Sequence, residues 1–257
     1  MLQCLRREPA DHFRTRQVSL SAEGELCAYG APLSFDDVQA LRQKGRIEEK
    51  DGKRVFANLG VSLQLIVSCA SRRALVLVEQ RGVLKLVSGY VPQEHLDNPL
   101  TTAWAELMEE VLPFVGGQCH GFSVAGCPLP DPYSLERLPS LSVRQGHPLF
   151  ESGLCIRSTR WPVKGYIHEP TASLQLVYPV EVALPEHVTL LHVEDTFDTT
   201  TDELLSILQD DSYVVLMALD ENNQTTDELF TLQNGEWLPF DRGDLQFSEF
   251  FIGLSQG

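Results

Sequence analysis

The hydrophobic residues of this chain form several short, nearly continuous runs that are typical of buried β-strands. The run at 61–69 is rich in Val, Leu and Ile, and the run ALVLVE at 74–79 follows after a short polar turn. Similar runs occur at 174–184 and 213–219. Because short apolar runs bounded by turn residues are characteristic of strands covered on both faces, these segments predict a sheet inside the protein.

Shorter strands are predicted beside these runs. Residues 83–88 alternate enough to form a third strand after the first two. Near the C-terminus, 228–232 and 236–238 flank the pair Asn234 and Gly235. This dipeptide is the strongest sequence signal for a two-residue hairpin turn, so the two segments predict an antiparallel hairpin.

Helical periodicity is clearest at 98–111. Asn98 is positioned to cap this helix, Pro99 suits its first turn, and Pro113 is expected to end it. One face of the helix carries an apolar stripe formed by Leu100, Ala103, Trp104, Leu107 and Val111. The pattern therefore predicts an amphipathic helix packed on the sheet.

Three further helices are predicted with weaker signals. Ser34 is positioned to cap a helix at 36–44, which Gly45 would end. A threonine at position 200 or 201 is positioned to cap a helix at 202–209. Residues 245–254 predict a closing helix.

The order of these elements predicts an α+β fold, because strict alternation of strand and helix is missing. Residues 1–54 are mixed in charge and poor in apolar runs, and we interpret them as an N-terminal extension packed on a main domain at 55–257. Residues 114–170 are rich in glycine and proline and predict a long, loop-like insertion with one strand near 121–126.

The composition adds a strong negative charge to this picture. The chain has 257 residues, with 20 Lys and Arg against 36 Asp and Glu, a net charge of −16. The excess lies in residues 151–257, which carry −15, whereas 1–54 carry +1 and 55–150 carry −2. This balance argues against binding to nucleic acid phosphates and to anionic membranes. With no apolar N-terminal stretch in the sequence, we expect a cytoplasmic protein.

Three acidic residues on the 98–111 helix are the strongest candidates for chemistry. Glu106, Glu109 and Glu110 have the i, i+3, i+4 spacing that places side chains on one helical face. Three carboxylates projecting from one rigid face suit a hard divalent ion such as Mg²⁺. The competing interpretation is a solvated acidic face, which is the more common reason for charge runs on helices.

The segment AELMEEVLP at 105–113 resembles the second half of the signature of the Nudix family of pyrophosphohydrolases. In that signature an Arg-Glu pair is followed by an aliphatic residue and then by two glutamates. Glu106, Glu109 and Glu110 match its acidic positions, and the preceding VSGY at 87–90 resembles the strand end and glycine turn of the family. The resemblance implies an α/β/α sandwich with a mixed sheet flanked by helices.

The chain also departs from the family signature. Ala105 replaces the arginine, Leu112 and Pro113 replace the closing glycine and aliphatic residue, and Asp97 stands where a glutamate is expected. Gly89 lies two residues too early, so the loop before the helix carries an insertion. These differences affect the part of the motif that holds the catalytic loop in place.

The resemblance implies metal-dependent hydrolysis of a substrate that contains a nucleoside diphosphate or a related pyrophosphate. Glu109 and Glu110 would be the catalytic residues and, with Glu106, the ligands of Mg²⁺ or Mn²⁺. A small-molecule nucleotide or phosphorylated metabolite needs positive partners, and arginine is well suited to phosphate. The candidate substrate-binding residues are Arg81, Lys85, Arg157 and Arg160.

Two other functions remain open alternatives. The altered motif favours a module that binds a nucleotide or metabolite without hydrolysing it. The acidic C-terminal part favours a protein that docks a basic partner. The sequence also leaves open whether the chain forms a homodimer. Aromatic residues that could stack on a base in the middle region are Tyr133, Phe150, Trp161 and Tyr166.

Overall fold

The described part of the chain, residues 3–9, 13–135, 137, 139–157, 159 and 161–255 of a computed structural model, contains three α-helices among many β-strands. The first elements are β1 (Gln3–Pro9), β2 (Arg14–Leu20), β3 (Leu26–Ser34), α1 (Phe35–Lys44), β4 (Glu48–Lys50), β5 (Lys53–Phe56), β6 (Leu59–Cys69), β7 (Arg72–Gln80), β8 (Val83–Lys85), β9 (Val87–Tyr90) and α2 (Leu100–Glu110). They are followed by β10 (Val111–Val115), β11 (Gln118–Cys119), β12 (Gly121–Val124), β13 (Cys127–Pro128), β14 (Ser140–Gln145), β15 (Leu154–Cys155), β16 (Lys164–His168) and β17 (Ser173–Ala183). The last elements are β18 (Val188–Asp198), β19 (Glu203–Tyr213), β20 (Val215–Leu219), β21 (Thr225–Gln233), β22 (Glu236–Pro239), β23 (Gln246–Phe247) and α3 (Glu249–Ser255).

The N-terminal segment forms its own small sheet. Strands β2 to β5 make a four-stranded antiparallel sheet in the order β3-β2-β5-β4, and α1 follows β3. The predicted caps of α1 are confirmed: the Ser34 side chain accepts a hydrogen bond from the Asp37 N–H, and Gly45 follows the last helical residue. Val18, Leu20 and Phe56 pack into the main core, so this sheet shares its interior with the rest of the chain.

A large mixed sheet occupies the centre of the molecule. Its strand order is β13-β12-β14-β17-β6-β7-β20-β21-β22, and β6 is paired in parallel with β17 and antiparallel with β7. Every residue of β6 from Leu59 to Val67 is buried. The predicted strands at 61–69, 74–79 and 174–184 are therefore confirmed, because a continuous apolar run needs cover on both faces of the sheet.

One helix lies against each face of this central sheet. Ala103, Leu107 and Met108 of α2 join the larger core, which contains alternate residues of β6, β7 and β17. Phe251 and Leu254 of α3 join the second core, formed by the intervening residues of β7 together with β20. The period-two alternation of side chains along a strand produces these two separate cores.

A second sheet packs beside the C-terminal end of α2. Its strand order is β1-β19-β18-β10-β11, so the first strand of the chain pairs with a strand from the last quarter. The helix predicted at 202–209 is wrong, since this segment is β19. Its apolar residues also fit helical spacing, but hydrogen bonds to β18 and β1 on its two edges determine its conformation.

The loop-like character predicted at 114–170 is wrong as well, because this region contains several strands, one of which, β12, is the strand expected near 121–126. Most are only two to six residues long and are interrupted by glycine and proline, so they carry little sequence pattern of their own. Their pairing comes from neighbours: β14 pairs in parallel with β12 and antiparallel with β17.

The α/β/α sandwich expected from the resemblance is contradicted. The structure is mostly β, with 55% of residues in strands and 14% in helices, and it has large antiparallel sheets and a half-barrel. The helix expected at 202–209 is a strand, and the region at 114–170, expected to be loop-like, contributes several more strands. The two helices on the central sheet cover only part of its faces.

Candidate functional site

The predicted acidic residues lie at the C-terminal end of α2. The helix begins at Leu100, preceded by Pro99 with no side-chain cap, so the capping role expected of Asn98 is wrong. The helix ends at Glu110, and Val111 is already extended. Tyr133 donates from its hydroxyl to the Glu109 carbonyl oxygen at 2.7 Å, satisfying one of the carbonyl groups at the helix end.

Glu110 is held by β8 and β9. Its carboxylate lies 2.9 Å from Lys85 Nζ and accepts a hydrogen bond from the Ser88 backbone N–H at 3.2 Å. Lys85 also donates to the Ser88 carbonyl oxygen at 3.2 Å. Burial raises the pKa of Glu110, although Lys85 opposes the shift. Burial alone would lower the pKa of Lys85, but Glu110 outweighs it and the pKa is raised.

Glu109 is held by the N-terminal strand. Arg6 of β1 places Nη1 2.8 Å from a Glu109 carboxylate oxygen, and both side chains are largely covered. Burial raises the pKa of Glu109 even with Arg6 beside it. The pairing of β1 with β19 therefore brings a cation from the start of the chain to the acidic helix.

Glu106 has no such partner among the described residues, from which its carboxylate accepts no hydrogen bond. It lies against the backbone of Gly89 so closely that a Cβ atom at position 89 would overlap with it. Burial raises the pKa of Glu106 well above its ordinary value, and the nearby charges of Glu110 and Glu109 raise it further. A carboxylate in this position favours either a proton or a cation.

A fourth acid, Asp195, approaches from β18. Its Oδ1 accepts a hydrogen bond from Ser206 Oγ at 2.6 Å, and its charge contributes to the raised pKa values of all three glutamates. We call Glu106, Glu109, Glu110 and Asp195 the acid cluster. Its four carboxylates face two cations, Lys85 and Arg6.

The donor chemistry of the acid cluster suits Mg²⁺ or Mn²⁺, which prefer carboxylate oxygen. In the described residues, however, no three acidic, histidine or cysteine side chains already stand in an arrangement that could hold a metal ion. Glu109 and Glu110 point to Arg6 and Lys85 instead. Glu109 and Glu110 would have to leave these cations to hold an ion together with Glu106.

An aromatic cleft of about 640 Å³ lies beside β9 and the end of β18. Tyr90 of its wall directly follows Gly89, and Phe197 stands two residues beyond Asp195 on the same face of β18. Phe35 and Phe197 are 43% and 41% exposed, two of the most exposed large hydrophobic side chains described. The aromatic rings that line the cleft are Phe13, Phe35, Tyr90 and Phe197.

Three of these rings form an edge-to-face group. Their centroids are 6.1 Å apart for Phe13 and Phe35, 6.0 Å for Phe13 and Tyr90, and 5.8 Å for Phe35 and Tyr90. Interplanar angles of 61–84° are the favourable geometry for aromatic pairs. Such packing holds the rings in place and leaves a rigid apolar wall.

The predicted basic residues separate in the structure. Arg81 lies at the turn between β7 and β8 and lines the aromatic cleft, and Lys85 binds Glu110. Arg157 is exposed and lies beside the β2–β3 turn, where its N–H donates to the Gly24 carbonyl oxygen at 3.0 Å. Arg160 falls outside the described residues. The structure therefore brings Arg81 and Lys85 to the acid cluster and its cleft, and places Arg157 elsewhere.

The aromatic candidates from the middle region belong to the core instead. Tyr133 and Phe150 are buried, Trp161 packs edge to face on Trp104, and Tyr166 donates to the Phe150 carbonyl oxygen. Sequence reasoning missed Phe13, Phe35, Tyr90, Phe197 and Asp195. Their separation along the chain gives no local signal, and only the pairing of distant strands brings them together.

Comparisons with protein-family models, with curated proteins and with solved structures find no match to this chain. In the part of the chain that the structure describes, no helix has the length and apolar character needed to cross a membrane.

Proposed function

We propose that this protein is a divalent-cation-dependent hydrolase of a pyrophosphate bond in a nucleoside-diphosphate-linked or related substrate. The observation that carries the proposal is Glu106, a half-buried carboxylate without a hydrogen-bonding partner in the described structure, surrounded by other acids. The resemblance of residues 105–113 to the Nudix signature supports the same chemistry. The location we propose is the cytoplasm.

The adjoining cleft supports the choice of substrate. The exposed rings of Phe35 and Phe197 would stack on a planar base, and Tyr90 in the same cleft directly follows Gly89, which lies against Glu106. Arg81 stands at the same cleft and is suited to pair with a phosphate. An aromatic wall linked through Tyr90 and Gly89 to Glu106 would suit a molecule with a base at one end and a pyrophosphate beside it.

Each residue has a distinct role in this proposal. Glu106, Glu109 and Glu110 would hold Mg²⁺ or Mn²⁺, which when bound supplies Lewis-acid chemistry and lowers the pKa of coordinated water. Lys85 and Arg6 neutralise Glu110 and Glu109 when no ion is present. Asp195, fixed by Ser206, is placed to accept a proton from water at the cluster.

A substrate panel tests the proposal directly. We expect release of nucleoside monophosphate from at least one nucleoside-diphosphate-linked compound in the presence of Mg²⁺ or Mn²⁺. Glu106→Gln should lower this activity by about 100-fold or more, within the range over which single groups contribute to catalysis. Gly89→Ala should also lower it, because the new methyl group displaces the Glu106 carboxylate.

Glu228→Gln is the matched control, since Glu228 is an exposed acid on β21 with no part in the acid cluster. It should leave activity unchanged. Equal turnover by wild type and Glu106→Gln, or equal turnover in EDTA, would contradict the proposal.

A second candidate function is binding of the same ligand class without hydrolysis. The ion pairs of Glu109 with Arg6 and Glu110 with Lys85 favour it, because these carboxylates are already engaged. Ala105, in place of the family arginine, favours it too. In this case nucleotides would raise the melting temperature without any turnover, and the increase would persist in EDTA. The acidic partner-docking alternative predicts neither turnover nor stabilisation by nucleotides.

A further inference from the structure

A second cavity, of about 540 Å³, lies on the face of the central sheet that carries α3. Ser62 lines its floor, whereas its neighbours Val61 and Leu63 belong to the core beneath α2. Because side chains alternate along a strand, the cavity and α2 are on opposite faces of β6. We call this cavity the polar pocket.

The polar pocket is built mainly from hydrogen-bonding groups. Gln175 is fixed by hydrogen bonds from its Nε2 to the Val61 carbonyl oxygen at 2.7 Å and to Ser62 Oγ at 2.8 Å. Serine hydroxyl groups from β6, β9 and β17 and from the residue before α3 also line it. A pocket lined in this way suits a ligand with several acceptor oxygens rather than an apolar one.

Apart from tyrosine, the described ionisable groups of the pocket are two cations, one histidine and one acid. Arg42 and His168 line it together with Lys85, and Glu249 is the acid among the described lining residues. Glu249 is 83% exposed in its side chain and reaches only to 4.0 Å from His168 Nε2. Lys85 is already paired with Glu110, so Arg42 and His168 are the cationic or donor groups available to a ligand.

Arg42 is held in place from two sides. Its guanidinium lies 5.2 Å from the centroid of the Tyr90 ring, and its Nη1 donates to Asn58 Oδ1 at 3.2 Å. Asn58 is 1% exposed, and its amide nitrogen is buried without a hydrogen-bond partner in the described structure. The remaining guanidinium donors of Arg42 have a fixed orientation at the pocket, which favours recognition of a group with paired acceptor oxygens.

His168 presents an unused ring nitrogen at the same pocket. Its Nδ1 lies 2.7 Å from Thr171 Oγ1, and its Nε2 is buried with no hydrogen-bond partner among the described residues. When Thr171 donates to Nδ1, the proton of the neutral ring lies on Nε2, which then donates into the pocket. A buried donor without an acceptor is unfavourable, and a bound anion would supply the acceptor.

We propose that the polar pocket binds a phosphate group of a small molecule, with Arg42 and His168 as its donors. A tetrahedral phosphate offers oxygens to both side chains and to the serine hydroxyl groups between them. Its negative charge would also pair with the guanidinium of Arg42. The proposal does not depend on hydrolysis at the acid cluster.

Calorimetric titration of the full chain with inorganic pyrophosphate in EDTA tests the proposal, with phenyl phosphate as a monoester probe. We expect saturable binding by wild type. Arg42→Gln and His168→Gln should each weaken it at least tenfold, and Arg46→Gln, an exposed arginine beyond the end of α1, should not. Two variants on different elements guard against a local folding defect, and near-ultraviolet circular dichroism checks that both retain tertiary structure.

A variant at the other site separates the two proposals. Arg81→Gln should leave metal-free pyrophosphate binding unchanged if the polar pocket is the site. Loss of binding in Arg81→Gln with retention in Arg42→Gln would place the anion in the aromatic cleft and overturn the proposal. Absence of saturable binding at millimolar pyrophosphate and at millimolar phenyl phosphate would also overturn it, whatever the panel assay of hydrolysis shows.

Discussion

At the scale of single residues, the three glutamates of α2 differ although the helix presents them alike. Glu109 meets Arg6 and Glu110 meets Lys85, whereas Glu106 meets the bare backbone of Gly89. The helix itself offers no compensation, because the dipole at its C-terminal end disfavours anions. Glu106 is therefore the place where the cluster gains most from a proton or a cation.

This environment predicts a dependence of stability on pH. The pKa of Glu106 is raised in the folded protein, so the folded state holds a proton more tightly than the unfolded state does. As pH rises from about 4.5, the ordinary pKa of a glutamate, through the raised pKa of Glu106, the free energy of unfolding falls. The reason is that ionising Glu106 is unfavourable in the folded protein but not in the unfolded chain. Glu106→Gln removes this effect, so its melting temperature in EDTA should increasingly exceed that of wild type as pH rises from 5 to 8.

The difference between the two proteins reports the titration of Glu106 together with its coupling to Glu109 and Glu110. His192, whose pKa is lowered to about 3 by burial and by Lys85, titrates in both and cancels. Each kcal/mol of difference in the free energy of unfolding should appear as a difference of about 2–4 °C in melting temperature for a chain of this size. A constant difference across this pH range would show that Glu106 does not titrate as described. Mg²⁺ should stabilise wild type more than Glu106→Gln if the cluster binds it.

At the scale of elements, the parts that the sequence predicts well are those with strong local signals. The caps of α1, the apolar runs of β6, β7 and β17, and the Asn234-Gly235 hairpin are confirmed. Each depends on residues close together in the chain. The turn has φ of 49° at Asn234 and 81° at Gly235, as a two-residue hairpin of this type requires.

The elements that depend on distant partners are missed. The leucines and isoleucine of β19 fit a helix as well as a strand, and the choice is made by β18 and by β1, nearly two hundred residues away. The prediction of the candidate site is incomplete for the same reason. Helical spacing predicts that the three glutamates share a face, but Arg6, Asp195 and the rings of the aromatic cleft arrive from other strands that no local pattern connects to α2.

Two glycine-to-alanine substitutions with opposite expected effects test the conformations of the hairpin turn and of α3. Gly235→Ala should destabilise the protein by about 1–2 kcal/mol, since alanine is strained in a left-handed conformation, and its Cβ would lie 2.9 Å from the His187 nitrogen. Gly253→Ala in α3 meets open space and should stabilise by roughly 0.5–1 kcal/mol. The measurement is the urea midpoint at constant m-value. If both variants shifted the urea midpoint equally and in the same direction, these local conformations would be contradicted.

At the scale of the whole molecule, the site depends on segments from both ends of the chain. The N-terminal sheet supplies Phe13 and Phe35, the middle supplies α2, and β18 supplies Asp195 and Phe197. The acidic C-terminal part is joined to the rest by ion pairs whose cations come from earlier in the chain, Arg7 with Glu203 and Arg73 with Glu181. Part of the negative charge of the C-terminal region is thus paired with cations from earlier in the same chain.

The remaining excess of negative charge predicts a response to salt that changes sign with pH. At pH 8 the net charge is at least −16, and self-repulsion destabilises the compact state. Raising NaCl from 20 to 200 mM shortens the screening length to about 7–8 Å, so the melting temperature should rise by a few degrees. At about pH 4.8, the isoelectric point that the composition gives, the repulsion largely disappears and mainly attractive pairs such as Lys50 with Glu48, whose pKa is lowered by Lys50, remain to be screened. There the same salt should leave the melting temperature unchanged or lower it. An equal rise in melting temperature at both pH values would contradict screened repulsion and would indicate anion binding or salting-out. In that case Na₂SO₄ at matched ionic strength should raise the melting temperature more than NaCl does.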